Sequence, residues 1–275
     1  MGDIMVIIDL LKYILLGLVQ GLTEPLPISS SGHVLIFEEL LNIEVFDLNL
    51  AIIVNAGSLV AIMIVFWKDI IGLIQKSFLF LFKKKTEFKN DFMYSLMIVV
   101  AVIPAGLVGL LFKTFIDDYL TSLLVVGLSL LVTAVALHFV SDQAIENTNE
   151  DITYLDAITI GLFQVFALIP GISRSGSTMV GGLVRKVKFE DTMKFSFLLY
   201  IPISLAIILL AVLDISDSSD PFILGYIEAF LASVFATYFA VKWFFKMVRK
   251  GNLKIFSIYC LSVGSLVIIL SFIVG

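Results

Sequence analysis

Gly17 to Gly32 reads GLVQGLTEPLPISSSG and Gly161 to Gly176 reads GLFQVFALIPGISRSG, two versions of one phrase set 144 positions apart. Aligned without a gap they share Gly17/Gly161, Leu18/Leu162, Gln20/Gln164, Ile28/Ile172, Ser29/Ser173, Ser31/Ser175 and Gly32/Gly176. A phrase recurring at this distance marks a duplicated unit. Prolines and glycines that interrupt an apolar run at matching places in both copies mark broken membrane helices facing a common site. The copies differ in chemistry: the first carries Glu24 and is followed by His33, the second carries Arg174.

Outward from this phrase, the chain is too apolar for a soluble core. Hydrophobic residues make up 60% and charged residues 15% of 275 positions, with a mean hydropathy of +1.08. Crossing the hydrocarbon core takes ~20 residues. Charge-free runs of that order occupy 48–67, 92–112, 119–141, 195–213 and 255–275, and a sixth, 221–241, is interrupted only by Glu228. The repeated segments are shorter, with charge-free stretches of 13–23 before Glu24 and 157–173 before Arg174, and they break at Pro25, Pro27 and Pro170. They read as half-spanning helices that enter, turn and leave by a second short helix. Irregular backbone at membrane depth is tolerated only where it is buried in protein or lines a wet cavity, so each turn points to a site.

Basic residues crowd 68–89, 185–194 and 242–254. With those loops inside, both termini lie outside, the first hairpin opens outward and the second inward. The expected fold is therefore all-α: a polytopic membrane protein with two inverted-topology repeats, about six transmembrane helices and two re-entrant hairpins. The stretch from Lys68 to Lys85, with apolar residues between its lysines, adds an interfacial helix. It forms a single integral membrane domain over 1–275, with repeat one at 1–140, a linker at 141–152 and repeat two at 153–275. The N-terminus has Asp3 and Asp9 and no basic region, which predicts no cleavable signal peptide. A lone Cys260 excludes an internal disulfide. The net charge of −5 argues against a nucleic-acid partner.

Ser29, Ser30 and Ser31 before Gly32 and an apolar run make a helix N-terminus, where a serine oxygen caps free amides and the end attracts anions. Ser173, Ser175, Gly176 and Ser177 repeat the device, and Arg174 adds a planar fork that matches two phosphate oxygens. Serines and glycines at such turns also cap and pack helices with no ligand at all. An intramembrane arginine is harder to explain structurally, since even the lenient insertion scale sets its burial at about 2.5 kcal/mol or more. Gln20 and Glu24, four residues apart, share one helix face. Together they suit a hard divalent cation, Mg²⁺ or Ca²⁺, whose other ligands come from water and substrate phosphate. Glu24 has alternatives: to orient a water, to partner His33 or to neutralise Arg174. His33, one turn into the helix, is a candidate for proton transfer or nucleophilic attack.

The runs QGLTEPLPISSSGH (Gln20 to His33) and PGISRSGST (Pro170 to Thr178) resemble the two signature motifs of the undecaprenyl-diphosphate phosphatase family, known for bacitracin resistance. Gln20 and Glu24 meet its acidic-pair pattern. Pro27, Ser29, Ser30, Gly32 and His33 meet the first turn; Pro170, Gly171, Ser173, Arg174, Ser175 and Thr178 meet the second. The first position of the pair, often glutamate in that family, is Gln20 here, which leaves Glu24 as the one ionised ligand. The resemblance implies a multi-pass enzyme of the cell membrane, opening to the outer face. Such an enzyme removes the terminal phosphate of a polyprenyl diphosphate lipid and recycles the carrier for cell-wall glycans. On that reading Arg174 and both turns hold the diphosphate, with Ser29, Ser31, Gly32, Gly171, Ser173, Ser175, Gly176 and Thr178 in the cradle. Ser30, His33 and water remain open as the nucleophile. Membrane lipids and a homodimer are the other expected partners. The rival reading is a transporter or flippase of polyprenyl phosphate lipids, because inverted repeats and midplane helix ends are also transporter architecture.

Overall fold

A chain whose solvent is lipid must satisfy its backbone hydrogen bonds within each segment, and helices do so. The computed structural model describes residues 2–41, 48–142, 151–214, 223–248 and 253–274, and among them every regular element is helical. Most of the expected linker at 141–152 lies outside the described residues. The first half contains α1 (Gly2–Thr23), α2 (Ser30–Leu40), α3 (Leu48–Val65), α4 (Trp67–Lys83), α5 (Lys89–Tyr119) and α6 (Leu123–Val140). The second half contains α7 (Tyr154–Phe166), α8 (Arg174–Val184), α9 (Phe189–Asp214), α10 (Ile223–Val248) and α11 (Lys254–Val274).

Six helices among the described residues, α1, α5, α6, α9, α10 and α11, are long and apolar enough to cross a membrane. α3 becomes a seventh span only if joined to α4, and the two are bent by 73°. That bend lays α4 aside as the expected interfacial helix. None of its residues is fully buried, and Asp69 near its start pairs with Lys194 at 2.5 Å while Lys76 pairs with Asp91 at 2.8 Å.

The first repeated segment departs from expectation in length. α1 runs 22 residues, longer than the half-span its charge-free stretch suggests, and by length and composition it is one of the six candidate spans. Asp9 and Lys12 end the charge-free count, yet they sit three residues apart on one face, 4.0 Å from each other, at an exposed end where charge is tolerated. Its counterpart α7 has 13 residues, as a half-span should.

Large apolar side chains cover the outside, among them Leu111, Phe139 and Phe272, each more than 70% exposed, a surface suited to lipid. Between helices the contacts are made by small and hydroxylated residues, as membrane packing favours. Ser58, Ser233 and Thr237 form one buried hydrogen-bonded knot between α3 and α10. The first residue of each repeated phrase packs on a long helix of the other half. A Cβ on Gly17 would overlap the Ala229 carbonyl of α10, and one on Gly161 would lie 2.5 Å from the Ala101 carbonyl of α5. Reciprocal contacts of this kind bring the two broken segments tip to tip.

Candidate active site

Each turn is built by its own sequence. Ser29 caps α2 by accepting the Gly32 amide at 3.3 Å, and Ser173 caps α8 by accepting the Gly176 amide at 3.1 Å. Ser29 adopts φ 70°, a left-handed conformation, and its carbonyl accepts the His33 ring Nδ1–H at 2.7 Å. In the second turn Gly171 has φ +93°, and an added Cβ would stand 2.6 Å from the Val126 carbonyl. A side chain is therefore excluded there on both counts. Thr133 of α6 pins this turn, donating to the Gly171 carbonyl at 3.3 Å and accepting the Ser173 amide at 3.2 Å.

The tips touch. A Cβ on Gly32 would lie 3.0 Å from Gly171 Cα, and the Ser175 hydroxyl donates to the Leu26 carbonyl at 3.0 Å. Across the junction Arg174 Nη2 meets Glu24 Oε1 at 2.5 Å, while Glu24 Oε2 accepts from Gln20 Nε2 at 2.7 Å and from Ser30 Oγ at 2.5 Å. The pair is nearly enclosed, with side chains 16% and 7% exposed for Arg174 and Glu24. Arg174 also donates to the Ser196 carbonyl at 3.4 Å and stacks on Tyr200, its guanidinium 4.0 Å from the ring centre. Tyr200 is held in turn by hydrogen bonds to the backbone and side chain of Asn55.

This cluster forms the floor of a cavity of about 370 Å³. Gln20, Glu24, Ser30, Ser31 and Arg174 face it, together with Gln164, Asn55, Tyr200 and Ser204. Apolar walls follow, from Leu35, Ile52, Leu168, Ile203 and Ile207, and Glu38, Ile116 and Thr121 lie toward the helix ends remote from the basic loops. A polar floor beneath apolar walls matches a molecule with an anionic head and a hydrocarbon tail.

The other expected site residues stand behind the floor. The hydroxyls of Ser29, Ser173 and Ser175 serve caps and the turn junction, and Thr178 bonds the Arg174 and Ser175 carbonyls and the Ser196 hydroxyl. Gly32, Gly171 and Gly176 let the tips approach. His33 turns away from the cavity: its Nε2 accepts from the Tyr259 hydroxyl at 2.8 Å, and the two rings stack. Sequence reasoning missed Tyr200, Asn55, Ser196 and Tyr259, which no local pattern ties to Arg174 or His33. It recorded Gln164 only as an identity with Gln20.

Gln20 and Glu24 also suit a hard cation. Among the described residues no three His, Cys, Asp or Glu side chains cluster as a metal cage. One carboxylate and one amide oxygen, available if the Gln20 carboxamide turns over, fit an ion such as Mg²⁺ that takes few protein ligands and completes its shell with water and phosphate.

Helical spans, paired broken helices and an arginine–carboxylate floor define a membrane protein built to act on an amphipathic oxyanion. Residues 13–266 match the family described as bacitracin resistance protein BacA, and the chain belongs to that family. It is similar to undecaprenyl-diphosphatase 2 of Bacillus thuringiensis strain Al Hakam, 44% identical over 262 residues covering 94% of this chain and 97% of that protein. It is also similar to the undecaprenyl-diphosphatase of Oceanobacillus iheyensis, 44% identical over 266 residues, 94% and 96% of the two chains. Undecaprenyl-diphosphatase 1 of Halalkalibacterium halodurans is 40% identical over 263 residues, 94% and 95%.

Proposed function

We propose that this chain hydrolyses undecaprenyl diphosphate to the monophosphate and inorganic phosphate, the activity for which its relatives are named, and so returns the lipid carrier to cell-wall synthesis. The observation that carries the reading is Glu24, which accepts the Ser30 hydroxyl on one oxygen and Arg174 on the other at the floor of a lipid-wide cavity. A nucleophile bonded to a base, with the base oriented by further groups, is the arrangement of covalent catalysis. Gln20 and Arg174 do the orienting here.

In the step proposed, Ser30 Oγ attacks the terminal phosphorus as its proton passes to Glu24. The bond to the bridging oxygen breaks, and the lipid monophosphate leaves. Water then cleaves the phosphoserine to release inorganic phosphate. Phosphoryl transfer relies on positioning and charge stabilisation, and Arg174 supplies both through the donors that Glu24 leaves free. A divalent cation bound to Glu24 and the Gln20 amide oxygen would neutralise charge on the leaving phosphate. His33 acts as a positioning residue: its bond to the Ser29 carbonyl fixes the left-handed turn that presents Ser30.

The site opens to the outer face on this reading. The cavity extends toward the ends of α2, α5 and α9 and the start of α3, away from the basic stretches 68–89 and 185–194 that belong inside on this reading. On the same orientation we read the two repeats, 1–140 and 153–275, as inverted with respect to each other. A carrier would need the arginine and the amides, but no hydroxyl bonded to a carboxylate.

The test is phosphate release by purified protein from a polyprenyl diphosphate, with and without a chelator, and with acid quenching in mid-turnover of substrate labelled in its terminal phosphate. Release that needs the cation, with label trapped on Ser30, is expected. Lipid translocation without release would refute the enzyme; release with no trapped phosphoprotein would replace Ser30 by water.

A further inference from the structure

Gln164 is 1% exposed, lies on the wall of the cavity, and has neither its Nε2 nor its Oε1 hydrogen-bonded. Among the described residues it is the one side chain with two orphaned polar atoms; Thr192, Ser204 and Glu228 have one each. A buried amide left without partners is destabilising, and such groups persist where something else recovers the loss.

The duplication explains how this state arises. Gln20 occupies the same place in the first copy, and its amide is spent on Glu24 one turn later. One turn after Gln164 the equivalent position is Leu168, which offers no acceptor. The second copy therefore keeps the glutamine and lacks the carboxylate that would occupy it. Its amide shares a cavity with Arg174 and Ser30.

We propose that Gln164 is a substrate-binding residue, its Nε2 donating to a phosphate oxygen of the lipid diphosphate and its Oε1 accepting from a water or a protonated phosphate oxygen. The assignment rests on the phosphatase reading above. A neutral donor suits this wall, since it adds a hydrogen bond to phosphate without changing the charge balance of the Glu24–Arg174 floor.

The test uses the purified full chain in detergent free of phosphate, with inorganic pyrophosphate and a polyprenyl diphosphate as separate probes. Gln164→Leu removes both orphaned atoms at similar volume. The expected result is a melting temperature equal to or above that of the wild type without ligand, together with a smaller upward shift on adding pyrophosphate. KM for the lipid should rise about tenfold or more, the usual loss when a hydrogen bond to a charged group is removed. Gln164→Glu, of the same shape, should raise KM further by repelling phosphate. A raised lipid KM with an unchanged pyrophosphate shift would place the contact on the lipid-bound phosphate and still support the assignment. Wild-type KM and pyrophosphate response in both variants would overturn it, as would a lowered melting temperature in Gln164→Leu combined with wild-type binding by Gln164→Glu. Should the wild type itself release no phosphate, the phosphatase reading fails, and the assignment fails with it.

Discussion

Glu24→Gln removes the negative charge from the cavity floor while preserving the size of the side chain. It leaves Arg174, only 16% exposed, with the Ser196 carbonyl and the face of Tyr200 as partners. Breaking one side of a fully buried ion pair costs about 3–5 kcal/mol. Arg174 keeps the ring face and the Ser196 carbonyl and is partly exposed, so a loss at the low end of that range, about 3 kcal/mol, is expected. Arg174→Gln leaves the carboxylate with Gln20 and Ser30 still donating, and about 1–2 kcal/mol is expected there. The double variant removes both charges together. It should fall short of the summed single losses by about 1–2 kcal/mol, the coupling of two groups in direct contact. Turnover should behave differently. Loss of the base costs ~10²–10⁴, loss of a phosphate-clamping arginine ~10³–10⁵, and the double variant should be little worse than the poorer single one because both act on one step. Thermal unfolding in detergent followed by circular dichroism, beside phosphate release, gives both cycles. Strictly additive stability losses would show that the pair is not coupled, and Glu24→Gln turning over within tenfold of wild type would remove Glu24 as the base.

Gly17→Ala and Gly161→Ala should each lower the melting temperature in detergent, because a methyl group meets the Ala229 or the Ala101 carbonyl, and overpacking of this kind costs ~1–3 kcal/mol. Gly72→Ala and Gly106→Ala, with open space around them, serve as controls expected to be neutral or slightly stabilising; equal effects at all four positions would deny the close approach. At Tyr200, phenylalanine keeps the ring under Arg174 and loses only the bonds to Asn55, whereas leucine loses the face as well. A cation over an aromatic ring contributes ~0.5–2 kcal/mol, so kcat/KM should fall roughly two- to thirtyfold further in Tyr200→Leu than in Tyr200→Phe. Equal values for the two would mean that the stacking contributes nothing to the site.

The helices and the broken segments were legible because lipid permits few backbone solutions, and Pro25, Pro27, Pro170 and Gly171 interrupt them where no helix can continue. The length of α1 was underestimated because a count of charge-free residues ignores the Asp9–Lys12 pair at an exposed end. The Glu24–Arg174 pair was legible because ionisable groups at membrane depth are few and must find one another. The orientation of His33 was hidden by closeness in sequence to the serines. Once α2 is known to begin at Ser30, the cavity-facing residues Ser30, Ser31, Val34, Leu35 and Glu38 form one helical stripe, and residue 33 falls outside it. Tyr200 and Asn55 lie far from both phrases, and only the packing of α3 and α9 brings them to Arg174.

Displacement by 144 residues carries Ser30 onto Arg174, so the first residue of α2 and the first residue of α8 are the same position in the two copies. The two meet on opposite oxygens of a single carboxylate, Glu24, whose own counterpart is Leu168. Two identical copies would bring two carboxylates to the junction with two serines and no cation, or two arginines with no carboxylate, and either set would place unpaired like charges at membrane depth. A working junction therefore requires the copies to differ at these positions. The differences within the repeated phrase are what turn a sequence duplication into a junction with a hydroxyl on one oxygen of Glu24 and a guanidinium on the other.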